Sequence, residues 1–329
     1  MNALLQQIRR TIQRHGLCPP GSDVLVGVSG GSDSIALTRA LLDLAHSGDF
    51  RVVGLAHFNH RLRPSAARDE RFCRDVAVRL GVAIVVEEAD VAAHAASEGL
   101  SIENAARRLR YAFLDRTAVA LGATRVAVGH TMDDQAETVL LKLMRGAGPA
   151  GLGGVYPRKG KVIRPLLGVS REELRAWLTS LGQPWVEDES NADLTNPRNR
   201  LRHRVLPELD AAYGGATRPS IARAAELARE DGQWLDEQAA IRFQLVARSR
   251  QDCLELDAAA LLAEPPPLLR RVLLQAMRTR SGDKEVGQEH VESALTVLWG
   301  YARAADVPGS RWELRGRNLV LLDQGPVVR

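Results

Sequence analysis

The chain has 329 residues, 45% of them hydrophobic, with 44 basic and 40 acidic side chains and a formal charge of +4. That length predicts two domains, and the apolar content supports packed cores and argues against general disorder. No apolar run reaches the ~18 residues of a membrane span, and Cys18, Cys73 and Cys253 are too widely spaced for a disulfide frame, a zinc site or an iron–sulfur set.

Residues 1–16 read as an amphipathic helix without the apolar core of a signal peptide, so a reducing cytoplasm is the expected compartment. From about residue 20 to 190 strand-like and helix-like segments alternate, the pattern of a parallel sheet with crossover helices. Strands are predicted at 23–28, 51–57, 82–87, 125–129 and 161–166, all apolar enough to be buried on both faces. Helices are predicted near 34–46, 65–80, 101–121, 132–145 and 170–181, the last opening with the capping box Ser170-Arg-Glu-Glu173. Gly146 to Gly154 carries five glycines in nine residues and reads as a loop, either a lid or an inert connector. Gly214-Gly215 marks a domain boundary, giving domains 1–214 and 215–329. The second is expected to be smaller and mostly helical, with helices over 220–249 and 267–280 and a hairpin at 311–323.

The most informative residues are Ser29-Gly30-Gly31-Ser32-Asp33-Ser34, set between the first strand and the helix after it. Two glycines let backbone approach a phosphate, the helix N-terminus favours an anion, and three hydroxyls add donors. Asp33 would repel a bare phosphate, and a Mg²⁺ ion between the two would remove the conflict. No Gly-x-x-x-x-Gly-Lys-Ser/Thr is present, so this is not a Walker loop. An ordinary capped βα turn is the competing explanation.

Four further clusters carry charged or polar residues. His57-Phe-Asn-His60-Arg61-Leu-Arg63 offers polar groups for a nucleotide, as a capped surface loop also would. In His130-Thr-Met-Asp133-Asp134-Gln-Ala-Glu137, Asp134 and Glu137 share one helix face and could hold a metal or bind an ammonium group. Acids in a first helical turn also favour the dipole without any function. Arg198, Arg200, Arg202 and Arg204 cannot all share one face; some could contact a polyanion while others anchor the segment through the acids at 187–189. Arg107 and Arg110 lie one turn apart, with Arg108 pointing elsewhere.

Ser-Gly-Gly-x-Asp-Ser resembles the pyrophosphate loop of the N-type ATP pyrophosphatases, which split ATP between its α and β phosphates. Together with HFNHRLR at 57–63, AARRLRY at 105–111, HTMDDQAET at 130–138, RPLL at 164–167, EDESN at 187–191 and PRNRLRHRVLPEL at 197–209, it resembles the tRNA(Ile)-lysidine synthetases over residues 22–210. The commoner form of the family has a small residue where Met132 stands.

The resemblance implies an α/β fold: a parallel-sheet, Rossmann-like PP-loop ATPase domain followed by a smaller, mostly helical domain for tRNA. It implies a ligase that uses ATP to adenylate C2 of the wobble cytidine of CAU-anticodon tRNA(Ile), after which L-lysine displaces AMP to form lysidine. ATP is the co-substrate and Mg²⁺ the expected ion, no membrane is involved, and a homodimer is compatible with the family. Carried over by position, Ser29, Gly30, Gly31, Ser32, Asp33 and Ser34 bind pyrophosphate, and Asp33 holds Mg²⁺. Arg110 and His130 steady the phosphates and adenylate. Asp134 and Glu137 receive the ammonium group of lysine or share the metal, and Arg202 stabilises developing charge; which carboxylate is the base stays open. A tRNA 2-thiolation enzyme, an ammonia-dependent amidotransferase or NAD synthetase, and a non-catalytic RNA module are the alternatives. The cysteine spacing opposes the first, no cysteine nucleophile with a histidine partner supports the second, and the acidic cluster beside the phosphate loop opposes the third.

Overall fold

The first helix shows how pattern becomes packing: Leu4, Ile8 and Ile12 recur every four residues of Ala3–Arg14 (α1) and are the three it buries. Asn2 caps it by accepting from the Leu4 N–H at 2.9 Å. A computed structural model describes residues 2–62, 65–187, 193–282 and 284–323. The chain divides into two compact units, Met1–Leu227 and Ala228–Arg329. The sequence alone suggested a division after residue 214; the compact units part thirteen residues later, inside a long helix.

In the first unit, Ser22–Gly27 (β1), Ser32–Ala45 (α2), Phe50–Asn59 (β2), Ala66–Leu80 (α3), Ile84–Glu88 (β3), Val91–Glu98 (α4), Ile102–Ala120 (α5), Arg125–Ala127 (β4) and Met132–Leu143 (α6) alternate as the pattern predicts, α4 being additional. There follow Pro149–Leu152 (α7), Arg158–Lys159 (β5), Val162–Ile163 (β6) and Arg171–Ser180 (α8). The sheet runs β3-β2-β1-β4-β6-β5, parallel except for β5. Val24, Leu25 and Val26 of β1 are wholly buried, as a central strand sandwiched by helices requires. The expectation of two buried faces fails for β3, an edge strand whose Val85 is 37% exposed. Among the described residues no strand pairs with its outer edge.

Pro197–Arg200 (α9) continues through a π-helical turn, Leu201–Val205, into Leu206–Tyr213 (α10). Pro207 accounts for the widened turn. Its ring would clash with the carbonyl of residue 203 in a regular α-helix, and the Leu206 N–H bonds instead to the Leu201 carbonyl. Thr217–Val246 (α11) then runs through the division between the units.

The second unit is helical, as expected, but it also holds a five-stranded antiparallel sheet of which the sequence reading recognised one hairpin. Ala247–Ser249 (β7), Cys253–Asp257 (β8), Ala304–Val307 (β9), Ser310–Arg315 (β10) and Asn318–Asp323 (β11) are ordered β7-β8-β11-β10-β9. Ala258–Leu262 (α12), Pro266–Arg278 (α13) and Gln288–Leu298 (α14) complete it. Val272, Leu273 and Leu295 pack with the fully buried Trp312 and with Leu254, Leu256, Leu319 and Leu321 from alternating strand positions. Among the described residues no helix is long and apolar enough to cross a membrane.

Candidate active site

The strand order places β1 between β2 and β4, the point where connections leave in opposite directions. In open parallel sheets, ligands sit beyond the carboxyl ends of the strands at that point. The turn 29–34 follows β1 there and the segment 128–131 follows β4, with Val26 in register with Ala127.

Gly30 adopts φ +90°, a left-handed conformation that favours glycine, and lies beside Phe72, Cys73 and Val186. Its carbonyl accepts from the Val186 N–H at 2.9 Å. Gly31 precedes α2 without any side-chain cap, so the N–H groups of the first turn are left for a ligand. The hydroxyls converge: the Ser34 Oγ donates to the Gly31 carbonyl at 3.0 Å and lies 3.2 Å from the Ser29 Oγ, and the Ser32 Oγ donates to Asp33 at 3.0 Å. From the other strand, Gly129 abuts this turn so closely that a Cβ would lie 3.1 Å from the Asp33 carbonyl.

Opposite the turn, α6 opens with a reciprocal capping box between Thr131 and Asp134. Asp134 keeps its second oxygen free of the cap, and Glu137 lies one turn on with its side chain 1% exposed. A guanidinium joins the two halves. Arg171 Nε donates to Asp33 Oδ2 at 2.9 Å, Nη2 to Asp134 Oδ1 at 3.3 Å, and Nη1 lies 3.8 Å from Glu137 Oε1. Arg202 holds Glu137 with two nitrogens, at 2.7 and 3.0 Å, and approaches Asp134 at 3.5 Å. Arg198 Nε lies 3.1 Å from Glu137 and its Nη2 donates to the Thr138 hydroxyl at 2.7 Å.

Among the described residues, the arginine segment is anchored on α6. Arg198 and Arg202, four residues apart, turn inward to Glu137 of α6, while Arg200 and Arg204 are exposed. Of the acids at 187–189, Glu187 pairs with Arg175 at 2.8 Å. Asp188 to Asn191 lie outside the described residues, as does Arg63 of the second motif.

Arg171 and Arg175 are candidate-site residues that sequence reasoning missed. Both lie on α8, which packs along α2, and Arg175 Nε reaches the Ser32 Oγ at 3.4 Å. The available signal was two arginines four apart, flanking the buried Leu174. Asp133 serves α8 as well: its carboxylate accepts from the Arg171 N–H at 2.7 Å and pairs with Arg218 at 3.1 Å, and Arg218 also pairs with Asp210.

Burial and charge set the protonation states. Burial raises Asp33 above the usual carboxylate range, against the pull of Arg171. Burial also works against the charge of Asp134, but Arg171, His130, the Thr131 N–H and Arg198 outweigh it and hold its pKa low. His130 is pushed down to about 4 by burial and by Arg164, Arg110 and Arg198, with Asp134 opposing. It is neutral at pH 7, and its buried Nδ1 has no hydrogen-bond partner among the described residues. The guanidinium groups of Arg110 and Arg107 lie 5.5 and 5.1 Å from the centre of the Tyr111 ring, while Arg108 turns to Glu98. Arg110 and Asp134 both lie within electrostatic reach of His130, and they act on its charge in opposite directions.

The second motif is held by the protein itself. His57 is buried and donates from Nδ1 to the Val28 carbonyl at 3.0 Å, and Asn59 donates to Glu70 at 3.0 Å. The glycine-rich loop is tied down at its far end, where Gln135 donates to the Gly153 carbonyl, accepts from the Val155 N–H, and Lys142 donates to the Gly154 carbonyl.

The sequence matches the PP-loop domain family over residues 3–209. It is 39% identical to a tRNA(Ile)-lysidine synthase of Geobacter sulfurreducens, over 89% of this chain and 63% of that protein. It is 37% identical to one of Leifsonia xyli subsp. xyli, over 89% of this chain and 87% of that protein. The chain therefore spans less than two thirds of the Geobacter protein. A solved structure of the U34-tRNA thiolase NcsA from Methanococcus maripaludis, with its [4Fe-4S] cluster, superposes with a TM-score of 0.57 at 16% identity, covering 69% of this chain and 79% of that one; the likeness is one of fold. A pyrophosphate-type loop, an acidic cluster one guanidinium away, and these matches place the chain in the tRNA(Ile)-lysidine synthase family.

Proposed function

We propose that this chain ligates L-lysine to C2 of the wobble cytidine in CAU-anticodon tRNA(Ile), at the expense of ATP. One observation carries the reading. The anion-binding turn and the acidic cluster share a single guanidinium, Arg171, with Asp33 at 2.9 Å and Asp134 at 3.3 Å. A phosphate site and a cation site thus lie within one side chain of each other.

The two halves suit the two steps. In the first, the cytidine C2 oxygen attacks the α-phosphorus of ATP and pyrophosphate leaves. The N–H groups at the start of α2 and the hydroxyls of Ser29, Ser32 and Ser34 would bind the departing pyrophosphate. Neutral His130 and cationic Arg110 would lie against the adenylate. In the second, the lysine ε-nitrogen bonds to C2 and AMP departs carrying the old C2 oxygen. Asp134 and Glu137 would receive the ammonium group and orient it, one carboxylate taking the proton so that the amine can attack. Arg202, fixed by two bonds to Glu137, would face the developing charge.

The donors suit Mg²⁺: Asp33 offers hard carboxylate oxygens beside the phosphate turn, and magnesium commonly needs only one or two carboxylates plus phosphate oxygens. Among the described residues no three His, Cys, Asp or Glu side chains converge as a ligand set, so phosphate would supply the rest. When bound, the ion would neutralise phosphate charge during pyrophosphate release.

Exposed Arg200, His203 and Arg204 on the outer side of the 197–213 helix would track the tRNA backbone. A thiolation chemistry is disfavoured by the cysteines themselves. Burial raises Cys18 to about 11 and Cys73 to about 12, leaving both as thiols, and Cys253 lies in the other unit.

The test is to incubate the protein with ATP, labelled L-lysine and a CAU-anticodon tRNA(Ile) transcript. Label enters the RNA if the reading holds; ATP–pyrophosphate exchange without labelled RNA refutes the lysine assignment. Asp33→Ala is expected to abolish AMP formation, and unchanged turnover would remove its role at the phosphates.

A further inference from the structure

The acids that would receive lysine already hold a cation. Each of three Arg171 nitrogens faces a different carboxylate: Nε on Asp33, Nη2 on Asp134 and Nη1 towards Glu137, at 2.9, 3.3 and 3.8 Å. The side chain is 17% exposed, so these contacts form largely out of water. Asp33, Asp134 and Glu137 contribute three negative charges, and Arg171, Arg202 and Arg198 contribute three positive ones. A cluster so balanced exerts little net pull on another cation. Withdrawing Arg171 leaves one net negative charge, the charge a single ammonium group matches.

The three arginines are not equally fixed. Arg202 grips the fully buried Glu137 with two short bonds, and Arg198 has the Thr138 hydroxyl as well. Arg171 makes one hydrogen bond each to Asp33 and Asp134, and its ion-pair contact with Glu137 at 3.8 Å is the longest of the set. Its backbone, in contrast, is held: the Arg171 N–H bonds to Asp133, and the Met132 N–H bonds to the Val169 carbonyl at 2.9 Å. The side chain can therefore move without moving α8. It also has somewhere to go, since Arg175 of the same helix already reaches the Ser32 hydroxyl of the phosphate turn.

We propose that Arg171 is a resident stand-in for the cationic nucleophile: a positioning residue that holds Asp33, Asp134 and Glu137 around one guanidinium, and yields its place to the ε-ammonium group of L-lysine while turning towards the phosphates. This rests on the ligase reading above and adds to it an exchange of one cation for another.

Three forms separate this from a purely structural role. R171Q removes the charge and keeps donors to Asp33; R171M removes both; R171K keeps the charge. Calorimetric titration with L-lysine in the absence of ATP is expected to show R171Q and R171M binding about tenfold more tightly than the unaltered protein, because no resident cation has to be displaced. R171K is expected to stay within about threefold of the unaltered protein. L-Norleucine, which lacks the ε-amine, is expected to show no gain. A structural role predicts the reverse order, with weakened lysine binding in R171Q and R171M. Unchanged or weaker lysine binding in the neutral variants, or an equal gain for norleucine, overturns the proposal.

The unaltered protein gives a second readout that does not depend on variant folding. Phenylglyoxal modification of Arg171, followed by mass spectrometry, is expected to speed up at least about threefold when lysine is added. Unchanged or slower modification overturns the proposal. If the unaltered protein incorporates lysine into tRNA but the neutral variants bind it no better, the Arg171 inference alone falls. If no form binds lysine and none is incorporated, the ligase reading falls with it.

Discussion

Replacing Glu137 by Gln keeps the shape of the side chain and removes one negative charge from the floor of the ion-pair cluster. The side chain is 1% exposed and faces Arg202 at 2.7 and 3.0 Å, Arg198 at 3.1 Å and Arg171 at 3.8 Å. The three arginines lose different amounts. Arg171 keeps Asp33 and Asp134, and Arg198 keeps the Thr138 hydroxyl and is 35% exposed, so water replaces most of what it loses. Arg202 is 19% exposed, loses both of its short bonds to Glu137, and keeps its approach to Asp134 at 3.5 Å. The cost is therefore close to one half-buried pair: at an effective dielectric near 20, charges about 4 Å apart interact by ~4 kcal/mol, and the glutamine oxygen recovers part of it. A loss of about 3 kcal/mol is expected, at the lower edge of the range for breaking buried pairs. The assay is urea unfolding at pH 7.5 in 0.1 M and 1 M NaCl, with hydrogen exchange of the α6 amides reporting the local opening free energy. The loss is expected to persist in high salt, because buried pairs are weakly screened. A loss below about 1 kcal/mol, or one that disappears in 1 M salt, refutes the claim that this ion-pair cluster fastens α9 to α6.

Three further outcomes are expected. Gly129→Ala places a Cβ 3.1 Å from the Asp33 carbonyl and must displace the phosphate turn by a few tenths of an ångström, so ATP–pyrophosphate exchange is expected to fall about 10- to 100-fold with only ~1–3 kcal/mol lost in stability; a fall under threefold counts against the close approach as a determinant of the turn. His130 binds its proton near pH 4 in the folded chain and near 6.5 when unfolded. As pH falls, the unfolded state takes up that proton first, so the contribution of His130 is complete above pH 7 and is lost between 6.5 and 4. Between pH 8 and pH 5 the unaltered protein is expected to lose about 2 kcal/mol more than His130→Asn in urea titrations, and equal losses would show the ring to be solvated. Finally, Arg200 and Arg204 are exposed and have no carboxylate within ion-pair distance among the described residues. Joint replacement by Ala is expected to reduce the slope of log affinity for tRNA against log salt by about 1 to 2, and an unchanged slope would remove this face from the RNA contact.

Much of the first unit was legible because its signals are local. An apolar run, two glycines and a helical period around Ser29–Ser34 specify strand, turn and helix from adjacent residues. The Thr131–Asp134 and Ser170–Glu173 boxes likewise show where two helices begin. The second unit was less legible: strands of three to six residues, such as Ala247–Ser249 and Ala304–Val307, have too short a period to stand out until their partners pair with them.

The sequence by itself determined that a glycine turn rich in hydroxyls follows the first strand, and that Asp134 and Glu137 share a helix face. What only the tertiary structure decided is which of these charges meet. Arg171 lies 138 positions from Asp33 in the chain and faces it at 2.9 Å, because the parallel sheet brings β1 and β4 side by side and α8 packs back along α2. Spacing along a chain reports contacts within one helix or strand. Pairing across elements depends on strand order and helix packing, and neither is written in the residues that end up touching.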